Sequence, residues 1–202
     1  MRSSDLTAAA RIREAAMRLF ADRGVAGVSV RDIAETAGVS SSLVIHHYGS
    51  KEGLKTAVDD RATSALIEVF AELADGGVID AAAGSLAVRL AASLDAEPVL
   101  PSYVRRMLID GGPAGEALFK RLFEATLKTM EELRKVGVVR PADDEPVRAM
   151  FLMVSDLAVI VLRDQIAGAL GVDPLSAEGV TRWTTAVLEL YGDGMFESAA
   201  GT

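Results

Sequence analysis

No cysteine occurs anywhere in the chain. Disulfides, thiolate metal sites and cysteine nucleophiles are excluded together. Histidine is almost as scarce. The two present, His46 and His47, are adjacent, and neither a zinc-ligand spacing, a nucleophile elbow nor a Gly-rich phosphate loop accompanies them. The acidic pairs Asp143-Asp144 and Glu131-Glu132 fall in a polar loop and on a solvated helix face, not in a catalytic constellation. Long apolar runs are missing too: the strongest, Ala149 to Leu162, is broken by Ser155 and Asp156 and is too short to cross a bilayer. The first residues carry Arg2 and Asp5 and lack a signal-peptide core. These absences predict a soluble cytoplasmic protein that is not an enzyme and needs no cofactor or metal. Strand-type alternation and internal repeats are also lacking, so the chain reads as all-α.

What is present concentrates between Val28 and Gly53, VSVRDIAETAGVSSSLVIHHYGSKEG. Ser29 followed by Asp32 is a capping-box variant, with an oxygen for an orphan amide and an acid in the first turn. Ile33, Ala34 and Ala37 then line one face, and Gly38 ends that helix. Ser40 caps a second helix of about two turns. Val44 and Tyr48, four apart, share its inner side, leaving Ser41, Ser42, Ile45 and His46 outward. Ser50 caps a third, longer helix opened by Lys51 and Glu52. Two helices joined by a short turn suit a helix-turn-helix, whose second helix enters a DNA major groove. Short outward side chains let the backbone approach, and hydroxyls with helix N-terminal amides meet phosphate oxygens or base edges. The expected DNA contacts are Ser29, Arg31, Ser40, Ser41, Ser42, Leu43, Ile45, His46, His47 and Lys51. On spacing alone, capped helices with a glycine turn also occur in helical proteins that never touch DNA.

The segment from Ala8 to Val58 resembles the N-terminal domain of the TetR family of one-component regulators. Leu19-Phe20, Gly24, Ile33-Ala34, Ala37 to Ser40, Tyr48, Ser50 to Glu52 and Leu54 carry the likeness. It implies a three-helix DNA-binding domain followed by a larger helical domain for ligand binding and dimerisation. It also implies repression released by a small-molecule effector. One departure stands out. Ile45 occupies a position where the family commonly has Tyr, and Leu43 one where Thr or Ser is common. An apolar group there suits a thymine methyl rather than a phosphate. The alternative is a helical ligand-binding or protein-interaction module whose head has lost DNA binding.

A net charge of −8 is unusual for a DNA binder, but it is unevenly spread. Residues 1–61 carry nine Lys/Arg against eight Asp/Glu, and residues 62–202 carry twelve against twenty-one. The acid belongs to the part that need not meet DNA. The near-neutral head suggests that two copies are needed for firm binding.

About nine helices are expected, with domains at 1–50 and 51–202 and the helix 51–74 linking them. Further helices are read at about 79–94, 98–109, 114–136, 146–169 and 176–197. The last two suggest a homodimer interface, through Met150, Val154, Leu157 and Val161 on one and Val180, Trp183, Val187, Leu190 and Tyr191 on the other. Internal core is the alternative. In the resembled family the middle helices hold the effector. Candidate lining residues are Leu66, Phe70, Leu90, Tyr103, Met107, Phe119, Phe123, Met130 and Phe151, for each of which plain packing is the preferred reading. Asp156, inside the most apolar run, either pairs with Arg105, Arg106 or Arg163 or meets the ligand, the pair being preferred. A dimer of such heads reads a near-palindromic operator.

Overall fold

The computed structural model describes residues 3–75, 98–135, 137 and 139–192. All regular structure in them is helical: α1 (Ser3–Arg23), α2 (Val30–Ala37), α3 (Ser41–Tyr48), α4 (Lys51–Asp75), α5 (Leu100–Asp110), α6 (Gly112–Lys135), α7 (Glu145–Val161), α8 (Arg163–Leu170) and α9 (Ala177–Gly192). The chain divides into two compact units, Met1–Glu68 with Pro98–Leu122, and Val69–Glu97 with Phe123–Thr202.

The first unit is built on α1. Its Ile12, Ala16 and Phe20 are fully buried, as are Ile33 of α2, Val44 of α3, Leu54 and Val58 of α4, and Val104 of α5. Removing these side chains from water supplies the main drive for folding, at roughly 1.5–3 kcal/mol for each large one. Polar contacts then fix the geometry. The Tyr103 hydroxyl of α5 donates to Asp59 Oδ1 of α4 at 2.7 Å, and Lys55 reaches the other oxygen of Asp59 at 2.6 Å. Arg106 Nε, also on α5, donates to the Ala21 carbonyl near the end of α1 at 3.0 Å. A cation at a helix C-terminus satisfies an orphan carbonyl and opposes the negative end of the dipole.

In the second unit, Ala149, Met153, Leu157 and Ile160 of α7 are buried, as is Val180 of α9. Arg163 at the start of α8 grips Asp173 through both side-chain nitrogens that face it. The Arg163 guanidinium, above all through its hydrogen bonds, holds the Asp173 carboxyl below its ordinary range.

Three element boundaries differ from expectation. The helix read at 146–169 is two, α7 and α8, parted at Leu162 (φ −102°, ψ 20°). The β-branched run Val159-Ile160-Val161 involves no clash but weakens helix continuation, while Asp164 and the Arg163–Asp173 pair favour a fresh start. The break read at Gly111 to Pro113 shrinks to Gly111 alone, because Pro113 is tolerated in the first turn of α6. The α1 helix begins at Ser3 rather than about Thr7. The expected helix at 79–94 lies outside the described residues.

Candidate nucleic-acid interface

The Val28–Gly53 segment folds by local rules. Ser29 is the N-cap of α2 and completes a capping box: its Oγ accepts from the Asp32 amide, and Asp32 accepts from the Ser29 amide at 2.8 Å. The Ser29 hydroxyl and then its amide hold the Asp32 carboxyl below the usual carboxylate range. Val28 and Ile33, flanking this cap as a hydrophobic staple, are both buried. At the other end Gly38 takes φ 64°, the left-handed region that a side chain resists. Its amide bonds the Glu35 carbonyl and that of Val39 bonds Ala34, which closes a Schellman turn. Arg11 of α1 donates to the carbonyls of Ala37 and Gly38, tying the turn to the first helix.

Ser40 caps α3, its Oγ accepting from the Leu43 amide at 3.2 Å and lying 2.9 Å from Ser42 Oγ. Val44 faces inward and is fully buried. The Tyr48 hydroxyl donates to the Ala9 carbonyl of α1 at 2.7 Å. Ser50 then caps α4 through the Gly53 amide at 3.0 Å. The short α3 is therefore held at both ends and along one side, and the opposite face is fixed in orientation.

That face carries Ser41, Ser42, Ile45 and His46, all exposed, with Ile45 at 43%. Leu43 and His47 are half-buried at its margin. The His47 ring packs edgewise on His46, with centroids 5.5 Å apart, and buries its Nε2 without a hydrogen-bond partner. His47 therefore presents less of its ring outward than expected. Ser29 is exposed, but its hydroxyl is engaged by Asp32 at 2.6 Å and acts as a cap. Arg31 is exposed and Lys51 half-buried. The face itself bears no carboxylate. Arg11, which helps orient it, escaped the sequence reading, and Tyr48 was read as inward without its partner, because both bond backbone carbonyls, 26 and 39 residues away.

The expected effector-lining residues are divided between the two units. Leu66, Tyr103 and Met107 are buried in the first unit, with the Tyr103 hydroxyl engaged by Asp59. They are packing residues, as is usual for Met and aromatics at helical spacing. Phe119 and Phe123 are half-buried, whereas Phe151 is 60% exposed on α7 and so does not line an enclosed pocket. The side chain of Phe70 and all of Leu90 lie outside the described residues. A cavity of about 470 Å³ in the second unit is lined by Leu127, Met130, Arg134, Glu145 and Pro146, among others. Of the expected interface residues, Val154 and Leu190 are exposed and Met150, Val161, Trp183 and Val187 half-buried. Leu157 and Val180 are taken up by the chain's own core and offer a partner nothing. The Tyr191 side chain lies outside the described residues. Among these residues no His, Asp and Glu side chains group as a metal site, and no helix is long and apolar enough to cross a membrane.

Comparison with known proteins matches both ends of the chain. Residues 12–58 fit the model of bacterial regulatory proteins of the tetR family. Residues 95–197 fit the tetracyclin repressor-like C-terminal domain. The transcriptional regulatory protein RaaS of Mycobacterium tuberculosis is 38% identical over 157 residues, 77% of this chain and 70% of that protein. The transcriptional repressor Rv3405c of the same organism is 29% identical over 174 residues, 84% and 81% of the two chains. Among solved structures, the transcriptional regulator SCO4942 from Streptomyces coelicolor superposes with a TM-score of 0.65 at 26% identity, covering 90% of this chain and 97% of its own. The chain belongs to the TetR family of helix-turn-helix transcriptional regulators. It is a DNA-binding transcriptional regulator.

Proposed function

We propose that this chain acts in the cytoplasm as a homodimeric repressor of a near-palindromic operator and is released by a small-molecule effector. Residues 1–50 form the DNA-binding domain and residues 51–202 the effector and dimerisation domain. Each copy places α3 in a major groove, with Ser42, Ile45 and His46 meeting base edges. Ser40, Ser41, Arg31 and Lys51 meet the backbone. The observation that carries this reading is the fixed, carboxylate-free face of α3. Its support from charge is the near-neutral head on an otherwise acidic chain. Dimerisation uses the exposed apolar strip Val147, Phe151 and Val154 of α7, with Leu162 just past its end and Leu190 of α9. Repression follows the relative Rv3405c, whose name describes it as a repressor. An effector lowers operator occupancy by binding the DNA-free arrangement better than the DNA-bound one.

Footprinting on the DNA upstream of the chain's own gene tests the proposal. The expected result is protection of two half-sites about one helical turn apart, lost in high salt. No protection at any protein concentration overturns it in favour of a head that has given up DNA.

A further inference from the structure

Among the described side chains of residues 7–68, Ile45 is the one large apolar group left exposed, at 43%. The others are buried or half-buried. A single exposed apolar residue needs no explanation by itself. The setting of this one does. It stands in the middle of α3, and α3 is pinned from behind by buried Val44, by the Ser40 cap and by the Tyr48 bond to Ala9. The fold has already fixed the direction in which Ile45 points.

Its neighbours leave it standing clear. A helical side chain leans toward the helix N-terminus and covers the preceding turn. For Ile45 that turn is Ser41 and Ser42, and Gly49 stands one turn on. A Cβ at Gly49 would meet nothing within 4 Å. No long side chain on α3 therefore shields Ile45 along its own row. The polar groups around it have local work. Ser40 Oγ accepts from the Leu43 amide and lies 2.9 Å from Ser42 Oγ, and the His46 ring packs edgewise on His47. Isoleucine in a helix keeps essentially one χ1 rotamer, so its methyl groups are presented in a set place with little freedom to lose on contact.

The major-groove edges of the bases offer donors, acceptors and one apolar group, the 5-methyl of thymine. An isoleucine neither donates nor accepts. Set against an amine or carbonyl edge, it strips away water and returns no hydrogen bond. Set against the methyl, it gains contact at no such cost. We infer that Ile45 recognises a 5-methylpyrimidine, and that this methyl group, rather than a base hydrogen bond, sets the preference for thymine at one step of each half-site. Cytosine methylated at C5 presents the same apolar group in the same groove, so α3 also distinguishes methylated from unmethylated cytosine there. The inference rests on α3 entering the major groove, as proposed above.

Operator duplexes from the footprinted site, with thymines replaced singly by deoxyuridine, test it, because uracil differs from thymine by that methyl alone. Affinity of the full chain is read by fluorescence anisotropy. One thymine per half-site is expected to cost about fourfold on replacement, and about fifteenfold when both half-sites are changed, as one buried methyl group each would. At that position a 5-methylcytosine–guanine pair should bind about fourfold better than cytosine–guanine. Ile45→Ala should abolish both differences and Ile45→Val should keep most of them, with thermal unfolding as the check that both variants fold. Uracil tolerated at every thymine, or differences that persist in Ile45→Ala, overturns the assignment. A chain that protects the operator yet ignores the methyl group overturns this inference alone. A chain that protects no DNA overturns the groove reading, and this inference falls with it.

Discussion

At the scale of the residue, most side chains with a polar task perform it close to home. Ser29, Asp32, Ser40 and Ser50 bond within three positions, which is why their roles as caps are legible in the sequence. Tyr103 is the opposite case. It looks like a pocket residue, and only the fold shows its hydroxyl on Asp59, 44 positions away. Tyr103→Phe is expected to cost about 1–2 kcal/mol in urea unfolding, because a buried carboxylate oxygen loses its donor. Asp156 gives a pH-dependent prediction. Desolvation by the surrounding chain pushes its pKa up to about 6 in the folded state against an ordinary 3.8. Between those values the folded state keeps a proton that the unfolded state has released. This contribution to stability therefore falls as pH rises through the window, and the cost is complete above it. Asp156→Asn should raise the free energy of unfolding near neutral pH, by about 1 kcal/mol once solvent screening at this accessible site is allowed for, and give no gain at about pH 4 or below. Equal gains at both pH values would refute the desolvation account. The sequence showed that this acid was out of place; it could not show that the available arginines were already engaged.

At the scale of the element, the junction of α3 and α4 has the least freedom. A Cβ on Gly53 would stand 2.2 Å from the Tyr48 carbonyl oxygen. Backbone cannot move aside as a flexible side chain can, so Gly53→Ala should destabilise the chain by about 1–3 kcal/mol in urea and weaken operator binding with it. Lys51, one residue past the Ser50 cap, forms no ion pair among the described residues. Lys51→Ala should reduce affinity for operator and random DNA alike and lower the salt slope by about one, as one lost phosphate contact would. An unchanged slope in a salt titration would remove Lys51 from the interface. The helices of the head were legible because each begins and ends on a local signal. The break between α7 and α8 was not: no glycine or proline marks Leu162, and the Arg163–Asp173 pair that favours it closes across ten residues.

At the scale of the whole molecule, the exposed strip on α7 decides whether the chain works alone. Phe151 is 60% and Val147 62% exposed, more apolar side chain than an isolated surface helix needs to show. Phe151→Glu should convert a dimer to monomers in sedimentation velocity and weaken operator binding by far more than it changes Tm. A variant that still sediments as a dimer would move the interface elsewhere. The sequence marks two apolar stripes on this helix; Leu157 of one is buried and Phe151 of the other exposed, because a helix apolar on two sides does not declare which side its own chain will cover. The Arg106 bond to the end of α1 has a consequence in time. The first unit is discontinuous, with Pro98–Leu122 completing what Met1–Glu68 begins. On the ribosome, the recognition helix and its caps emerge early, but the helix that supports them is completed only after more than a hundred residues have been synthesised. The nascent head must wait for its own support, so a chain broken off between the two segments would leave a reading surface with nothing behind part of it.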